Sequence, residues 1–378
     1  MKIAVIHPGE LGECELTRWR ALQQTAASFA NPFLSPEFTL AVGRVRSQAR
    51  VAILSDGPQI VGFFPFERRG IGYGVPIAAG LNDCQGLVHM PGLEWDPQEL
   101  LRACKLSVWE FDHLLEGQKP FEPYQVLRAP SPVMDLTAGY EAYLTQLHRN
   151  SAKPPGAGPV KQSIRELPAK ERKLARQVGE PHFAFDSRDH EALHTLMAWK
   201  SAQYHRTGIP DRFARPWIVQ LLEQLLDTHT ESFAGVLAML YAGDEPVAGH
   251  FLLRSEHMMA AWFPAYDTRF RKYSPGLITR LHTAQAAATA GIHYIDLGRG
   301  AMDYKDLFKS WDLYVAEGQI VRRSPAAAFH QACRIPAYRL RHAAAKRFSL
   351  HQRADSLRRR YNRTRARTAL RHKGAARE

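Results

Sequence analysis

Three basic side chains, Arg269, Arg271 and Lys272, stand just ahead of Ser274-Pro275-Gly276, and that grouping could hold a phosphate. Proline suits the first turn of a helix, where its missing N–H is not needed, so a helix should open at Pro275. The first-turn amides of such a helix lack intrahelical partners and carry the positive end of its dipole. Together with the three cations they would bind a phosphate or pyrophosphate, although an ordinary strand-helix-strand unit with a solvated basic turn has the same spacing. Further along, Gly298-Arg299-Gly300 follows an apolar run; a glycine-flanked arginine at the end of a parallel strand stands where open α/β sheets place ligands. Two other patterns weigh less. His190-Glu191-Ala192-Leu193-His194 matches the zinc spacing HExxH, in which the glutamate serves as base. It falls on the first turns of its helix and no third histidine follows at metzincin spacing, so a solvated helix start is expected and no metal is assigned. Gly70, Gly72 and Gly74 are followed by Val75-Pro76 and not by the helix that a dinucleotide fingerprint needs, so they read as a loop.

The elements that must position the basic turn follow from periodicity. His257 to Phe263 is short, apolar and aromatic, which predicts a buried strand. Gly276 to Ala290 is alanine-rich, places Leu277, Ile278, Leu281 and Ala284 on one side, and stops at Gly291, as a helix would. Ile292 to Leu297 predicts the next strand. Strand, basic turn, helix and strand make a crossover unit whose two strands should be parallel.

In that order the residues resemble a known family. Arg271-Lys272-Tyr273-Ser274-Pro275-Gly276 is similar to the acyl-CoA pyrophosphate loop of GNAT acetyltransferases, with Ser274 in place of the first glycine. The series Tyr266-Asp267, the Ser-Pro-Gly turn, Ala290-Gly291, Asp296-Leu297-Gly298, Gly300 and Tyr304-Lys305 resembles the CelD/BcsL-like branch, associated with bacterial polysaccharide production, and more distantly the FemAB-like peptidyltransferases. Weaker likeness extends upstream to Trp19 and to Asn31-Pro32-Phe33-Leu34-Ser35-Pro36. The resemblance implies an α/β (α+β) fold with two tandem GNAT-like domains, mixed sheets flanked by helices, and a basic tail. Its expected parts are a degenerate first domain over 1–150, a linker and charged helix over 151–180, an acyl-CoA-binding domain over 181–325 and a basic helical or disordered tail over 326–378. Proline and glycine density at 151–159 marks the break.

Composition sets further bounds. The chain has 378 residues and a formal net charge of +13, enough length for two domains and an ample core. From Arg334 onward there are 15 Lys+Arg against 2 Asp+Glu, so the rest, with 35 of each sign, is neutral and the tail carries the whole excess. Such a tail suits tRNA phosphates or an anionic membrane surface with its polysaccharide machinery. The cysteines, Cys14, Cys84, Cys104 and Cys333, are dispersed and read as free thiols of a reducing compartment. The start MKIAVIHPGE is too poor in apolar residues for a signal peptide, and no run approaches membrane-spanning length, so a cytoplasmic site, peripheral to the inner face of the membrane at most, is expected.

Acyl transfer from a thioester needs a bound donor, a dipole on its carbonyl and a group that takes the acceptor's proton. The resemblance assigns acetyl-CoA or another acyl-CoA to Arg269, Arg271, Lys272, Tyr273, Ser274, Pro275 and Gly276, with backbone amides of the His257 strand facing the thioester. No covalent nucleophile is evident by motif. Candidates to take the proton are Asp267, Asp296, Tyr304 and His250. Arg299 and Lys305 would bind an anionic group on the acceptor, and Lys200, Gln203 and Tyr204, spaced along one helix face, would line its groove. The polar loop Asn82-Asp83-Cys84-Gln85-Gly86 could face a cleft. The expected activity is transfer of an acyl group to an amine or hydroxyl of a sugar-containing precursor. An aminoacyl-tRNA-dependent transferase and a non-catalytic binding protein of the same fold are the alternatives; Ser274, whose side chain could crowd a pyrophosphate, favours the latter.

Overall fold

A computed structural model describes residues 1–150, 163–300 and 303–322; the expected break at 151–159 and the basic tail lie outside them. The N-terminal half carries β1 (Lys2–Ile6), β2 (Ala49–Asp56), β3 (Gln59–Arg68), β4 (Tyr73–Pro76), β5 (Val88–His89), β6 (Val108–Leu115) and β7 (Gln125–Asp135). Its helices are α1 (Glu13–Gln23), α2 (Pro36–Val45), α3 (Pro97–Ala103) and α4 (Tyr140–Asn150). The C-terminal half carries β8 (Pro181–Ser187), β9 (Phe233–Ala242), β10 (Glu245–Ser255), β11 (Met258–Tyr266), β12 (Tyr294–Asp296) and β13 (Trp311–Val321). Its helices are α5 (Leu167–Gln177), α6 (His190–Thr207), α7 (Pro216–Asp227), α8 (Pro275–Thr289) and α9 (Asp303–Phe308).

Local chemistry sets most boundaries. Asp189 caps α6 by accepting from the amides of Glu191 and Ala192, and Gly208 closes the helix at φ 69°, a conformation glycine adopts without steric penalty. Asp96 caps α3 in the same way. Helix α1 stops at Gln23. There the Thr25 hydroxyl donates to the Leu22 carbonyl at 2.7 Å, and Ala27–Phe29 winds as a separate 3-10 turn that sends Phe29 into the core. The basic turn is likewise a 3-10 helix, Thr268–Tyr273, which Asp267 caps.

All the strands join one sheet in the order β1-β2-β3-β4-β6-β13-β7-β12-β11-β10-β9-β8, with β5 on β3. The two halves repeat one plan: antiparallel strands end in a parallel pairing, β4 with β6 and β11 with β12. The second is the parallel pair expected around the basic turn. They also exchange strands. β7 of the first half pairs with β12 of the second, and β13, from the far end of the second half, lies between β6 and β7. Trp19, Phe33, Phe38, Leu193, Leu221 and Phe251 belong to the core on one side of the C-terminal strands; Tyr143, Leu174, Ile278 and Phe308 belong to the core on the other.

β11 and β12 pair only from Met258↔Tyr294 to Ala260↔Asp296. From Ala261 to Tyr266, β11 keeps β10 as its one strand partner. The sheet is therefore open along that edge, between the end of β11 and the segment that leaves β12.

Candidate functional site

One end of this opening is the basic turn. The Asp267 carboxylate accepts from the Arg269 amide at 2.8 Å and from its Nε at 2.8 Å. Burial would raise Asp267, but these bonds to Arg269 outweigh it and hold the group below its ordinary range. Arg269 also reaches Glu245 at 2.8 Å, so its charge is matched. Arg271 and Lys272 are exposed, and Lys272 Nζ lies 4.8 Å from the centre of the buried Tyr273 ring. Ser274 sits at φ 57°, the left-handed conformation in which a glycine would be at home. Its side chain does not cap α8. Instead Ser274 Oγ accepts from Lys170 Nζ on α5 at 3.2 Å. Tyr273 Oη donates to Gln177 at 2.8 Å, and Glu171 holds His282 at 2.6 Å, so α5 lies against the turn. Pro275 has no amide hydrogen, and the amides of Leu277 and Ile278 both donate to the Ser274 carbonyl. Only Gly276 N–H of that first turn remains without such a bond.

The other end is a buried polar cluster where the two halves meet. Asp296, 2 % exposed, closes β12. Its Oδ1 accepts from Ser131 Oγ at 2.6 Å and from Gly298 N at 2.9 Å; its Oδ2 accepts from Asn31 Nδ2 at 3.2 Å. Burial raises its pKa, while the Ser131 and Gly298 bonds pull it back. Both oxygens are thus engaged in tying the halves together. Lys305, on α9, donates to the Gly298 carbonyl at 2.7 Å and the Arg299 carbonyl at 3.1 Å. Burial lowers its amine to about 8, against the pull of Asp83 and Asp296. Arg299 donates to the Asp112 carbonyl at 2.8 Å and pairs with Glu317.

Around the same opening Lys200 donates to Gln203 at 3.2 Å and to the Pro264 carbonyl of β11 at 3.0 Å. Its amine lies 5.5 Å from the Tyr204 ring centre. Burial, then the charges of Arg212, Arg280 and Lys305, bring it down to about 8. His250 on β10 is 2 % exposed and its Nε2 has no hydrogen-bond partner. Burial, then Arg280 and Lys200, push its pKa far below the ordinary value, so the ring is neutral. Tyr304 stacks on Arg280, whose Cζ is 4.6 Å from the ring centre.

Of the residues singled out in the sequence, Asp296, Tyr304, His250, Arg299, Lys305, Lys200, Gln203 and Tyr204 gather near the seam. Asp267 and Arg269 stand apart, paired to each other at the far end of β11. Several participants had not been singled out. Asp83 and His113, from the N-terminal half, come within 3.7 Å of each other, and His113 lies 3.2 Å from Asp112. Burial raises Asp83, opposed by His113, Arg212 and Lys305. Burial would lower His113, but Asp112 and Asp83 keep it above its ordinary value. Asp83 is 30 % exposed and faces Gly298, where an added Cβ would lie 3.3 Å from its Oδ2; Asp112, on the other side of His113, is more open still, but its carboxylate also accepts from Gln85. Asp83 does belong to the polar loop noted in the sequence. Arg280 carried a signal too, since it shares the buried stripe of Leu277, Ala284 and Ala287. The HExxH histidines bind carboxylates of α7 instead of converging: His190 meets Asp227 at 2.8 Å and His194 meets Glu223 at 2.7 Å.

Residues 162–306 match the family model of an acetyltransferase (GNAT) domain, a span that includes the basic turn, α8, Asp296 and Lys305. No curated protein matches the chain. Among solved structures, FemX is similar at TM-score 0.50 and 11 % identity, over 84 % of this chain and 96 % of that one. A conserved protein of unknown function from Bacteroides thetaiotaomicron is similar at TM-score 0.52 and 10 % identity, over 84 % of this chain and 100 % of that one. A tandem GNAT protein from the clavulanic acid biosynthesis pathway is similar at TM-score 0.48 and 9 % identity, over 85 % and 98 %. At such identities the likeness is one of fold. The expected class, mixed α/β with a GNAT-type domain, is the one observed.

Proposed function

We propose that this chain transfers an acyl group, acetyl in the simplest case, from acyl-CoA to an amine or hydroxyl acceptor at the opening between β11 and β12. The observation that carries the reading is the placement of that opening, with a cationic turn at one end and a polar, half-accessible cluster at the other, inside the segment that matches an acetyltransferase domain. Arg271 and Lys272 supply positive charge at the turn, Lys170 adds an amine that also meets Glu166 at 3.4 Å, and Gly276 N–H is available there to a phosphate oxygen. Ser274 already holds the backbone shape that the family's glycine provides. Lys305 brings a positive charge toward the place where the carbonyl oxygen would gain negative charge during attack. Asp83, with His113 behind it, is the carboxylate positioned to take the acceptor's proton as the new C–N or C–O bond forms and the thiolate leaves. Asp296, with both oxygens engaged, holds Asn31, Ser131 and the Gly298 loop in register.

The order of motifs from Tyr266 to Lys305 supports an acceptor that is a sugar-containing precursor of a bacterial polysaccharide. On that reading the basic tail keeps the protein at the inner, anionic face of the membrane beside the synthesis machinery. A second reading, an aminoacyl-tRNA donor, is favoured by one observation: α5 lies against the turn through Lys170, Gln177 and Glu171, which narrows the room for a pyrophosphate. Calorimetric titration of the full chain with acetyl-CoA separates the two. Micromolar binding that Arg271→Ala weakens at least tenfold is expected. No acetyl-CoA binding by the folded protein, together with tRNA binding that falls steeply with salt, would move the donor to the second reading.

A further inference from the structure

The floor of the opening holds more positive charge than its neighbours neutralise. Arg280 is 5 % exposed, its Nε has no hydrogen-bond partner, and no carboxylate pairs with it among the described residues. Its guanidinium is held between the rings of Tyr304 and Phe308, at 4.6 and 5.8 Å from their centres. The groups that face it are Lys200, Lys305, the neutral His250 and the phenols of Tyr143 and Tyr304. Asp296 is turned toward Asn31, Ser131 and Gly298. A buried cation without a counter-charge is strongly unfavourable, and folded proteins retain one where a ligand completes it.

We infer that Arg280, His250 and Lys200 form an anion site beneath the opening, built to take a carboxylate or phosphate group of a substrate. Arg280 Nε and His250 Nε2 are both buried without a partner, so the first can donate to an anion, and so can the second in the tautomer that carries its proton there; Lys200, which is only half-buried, marks the side from which the anion enters. Aromatic stacking keeps the guanidinium plane fixed, so little side-chain freedom is lost on binding. Which substrate carries the anion rests on the acyltransferase reading; the site itself does not.

Thermal unfolding of the full chain in a low-chloride buffer, with inorganic phosphate or malonate added, tests this. Either anion should raise the midpoint by several degrees, and the larger rise tells phosphate from carboxylate. Arg280→Met should lose more than half of that rise while its anion-free midpoint equals or exceeds that of the unsubstituted protein, because an unmatched buried charge has gone. Lys200→Met, at a more accessible position, should also blunt the rise and keeps the test open if Arg280→Met does not fold. Arg271→Ala, at the turn, should retain the Arg280-dependent part. A full rise in Arg280→Met, or in Lys200→Met if that variant alone folds, would overturn the site, as would an Arg280→Met midpoint several degrees lower without anion. Failure of acetyl-CoA to bind would instead count against the proposed donor and leave the anion response untouched.

Discussion

Replacing Asp83 with asparagine keeps the side chain's shape and removes its capacity to take a proton. If Asp83 is the proton acceptor, Asp83→Asn should lower the acyl-transfer rate by about 10²–10⁴-fold with little change in the unfolding midpoint. An equal loss in Asp296→Asn with Asp83→Asn unaffected would reassign the role. Lys200 and Lys305 make a second prediction. Both amines are lowered to about 8 by burial, whereas in the unfolded chain they keep protons to about 10.4. Between those values the unfolded state binds more protons, so stability should rise with pH across about 8 to 10. Below pH 8 the penalty of charging both is fully present. Denaturant unfolding at successive pH values should show this slope, and it should flatten in Lys200→Met and Lys305→Met. What could be read from the sequence at this scale was the membership of single segments. Asp296, Lys305 and Lys200 stood out because each belongs to a recognisable run. The encounter of Asp83, His113, Arg212 and Lys305 joins four distant segments, and no spacing along the chain encodes it. Arg280 was readable in principle, as a charge placed in an apolar helical stripe.

The turn into α8 shows how an element can keep a shape while changing the residue that makes it. Ser274 adopts φ 57°, which for a residue with a Cβ costs about 1–2 kcal/mol. Ser274→Gly removes that strain at the expense of greater freedom in the unfolded chain and of the Lys170 contact. A net gain of up to about 1 kcal/mol is expected, with acetyl-CoA binding unchanged or tighter. Weaker binding by a folded Ser274→Gly variant would show that the hydroxyl itself serves the ligand. The crossover from β11 through α8 to β12 was legible because Pro275, the alanine stripe and Gly291 punctuate it strongly. Less legible was the length of β12, three residues where six apolar or aromatic-flanked positions were available. Its pairing ends at Asp296 because that side chain turns to Ser131, Asn31 and Gly298 and the next amide, Leu297 N, bonds to Pro132. Similarly α5 read as a charged surface helix; its contact with the turn is a tertiary fact.

At the scale of the molecule, two halves that repeat one plan share a single sheet, in which β7 is followed by β12 and the second half's strands run back from β12 to β8. β13 lies between β6 and β7. Gly318 permits it, since a Cβ there would collide with the Tyr124 carbonyl and the Phe111 ring. Nothing in the residues of β13 gives its address in the first half's sheet, because alternation gives a strand its faces but not its neighbours. Separately produced segments 1–150 and 163–378 should each be unstable and should regain structure when mixed. A stably folded 1–150 segment would show that the shared strand is dispensable. The arrangement also sets a timetable for biosynthesis. At ~5–20 residues per second, the ribosome needs on the order of ten seconds or more to pass from Asp135 to Trp311. Throughout that interval β6 and β7 wait with exposed edges, open to pairing with other nascent chains on the same message. On this arrangement the first half depends on the last of the described strands, and a message truncated before Trp311 would yield an aggregation-prone remnant in place of a working half.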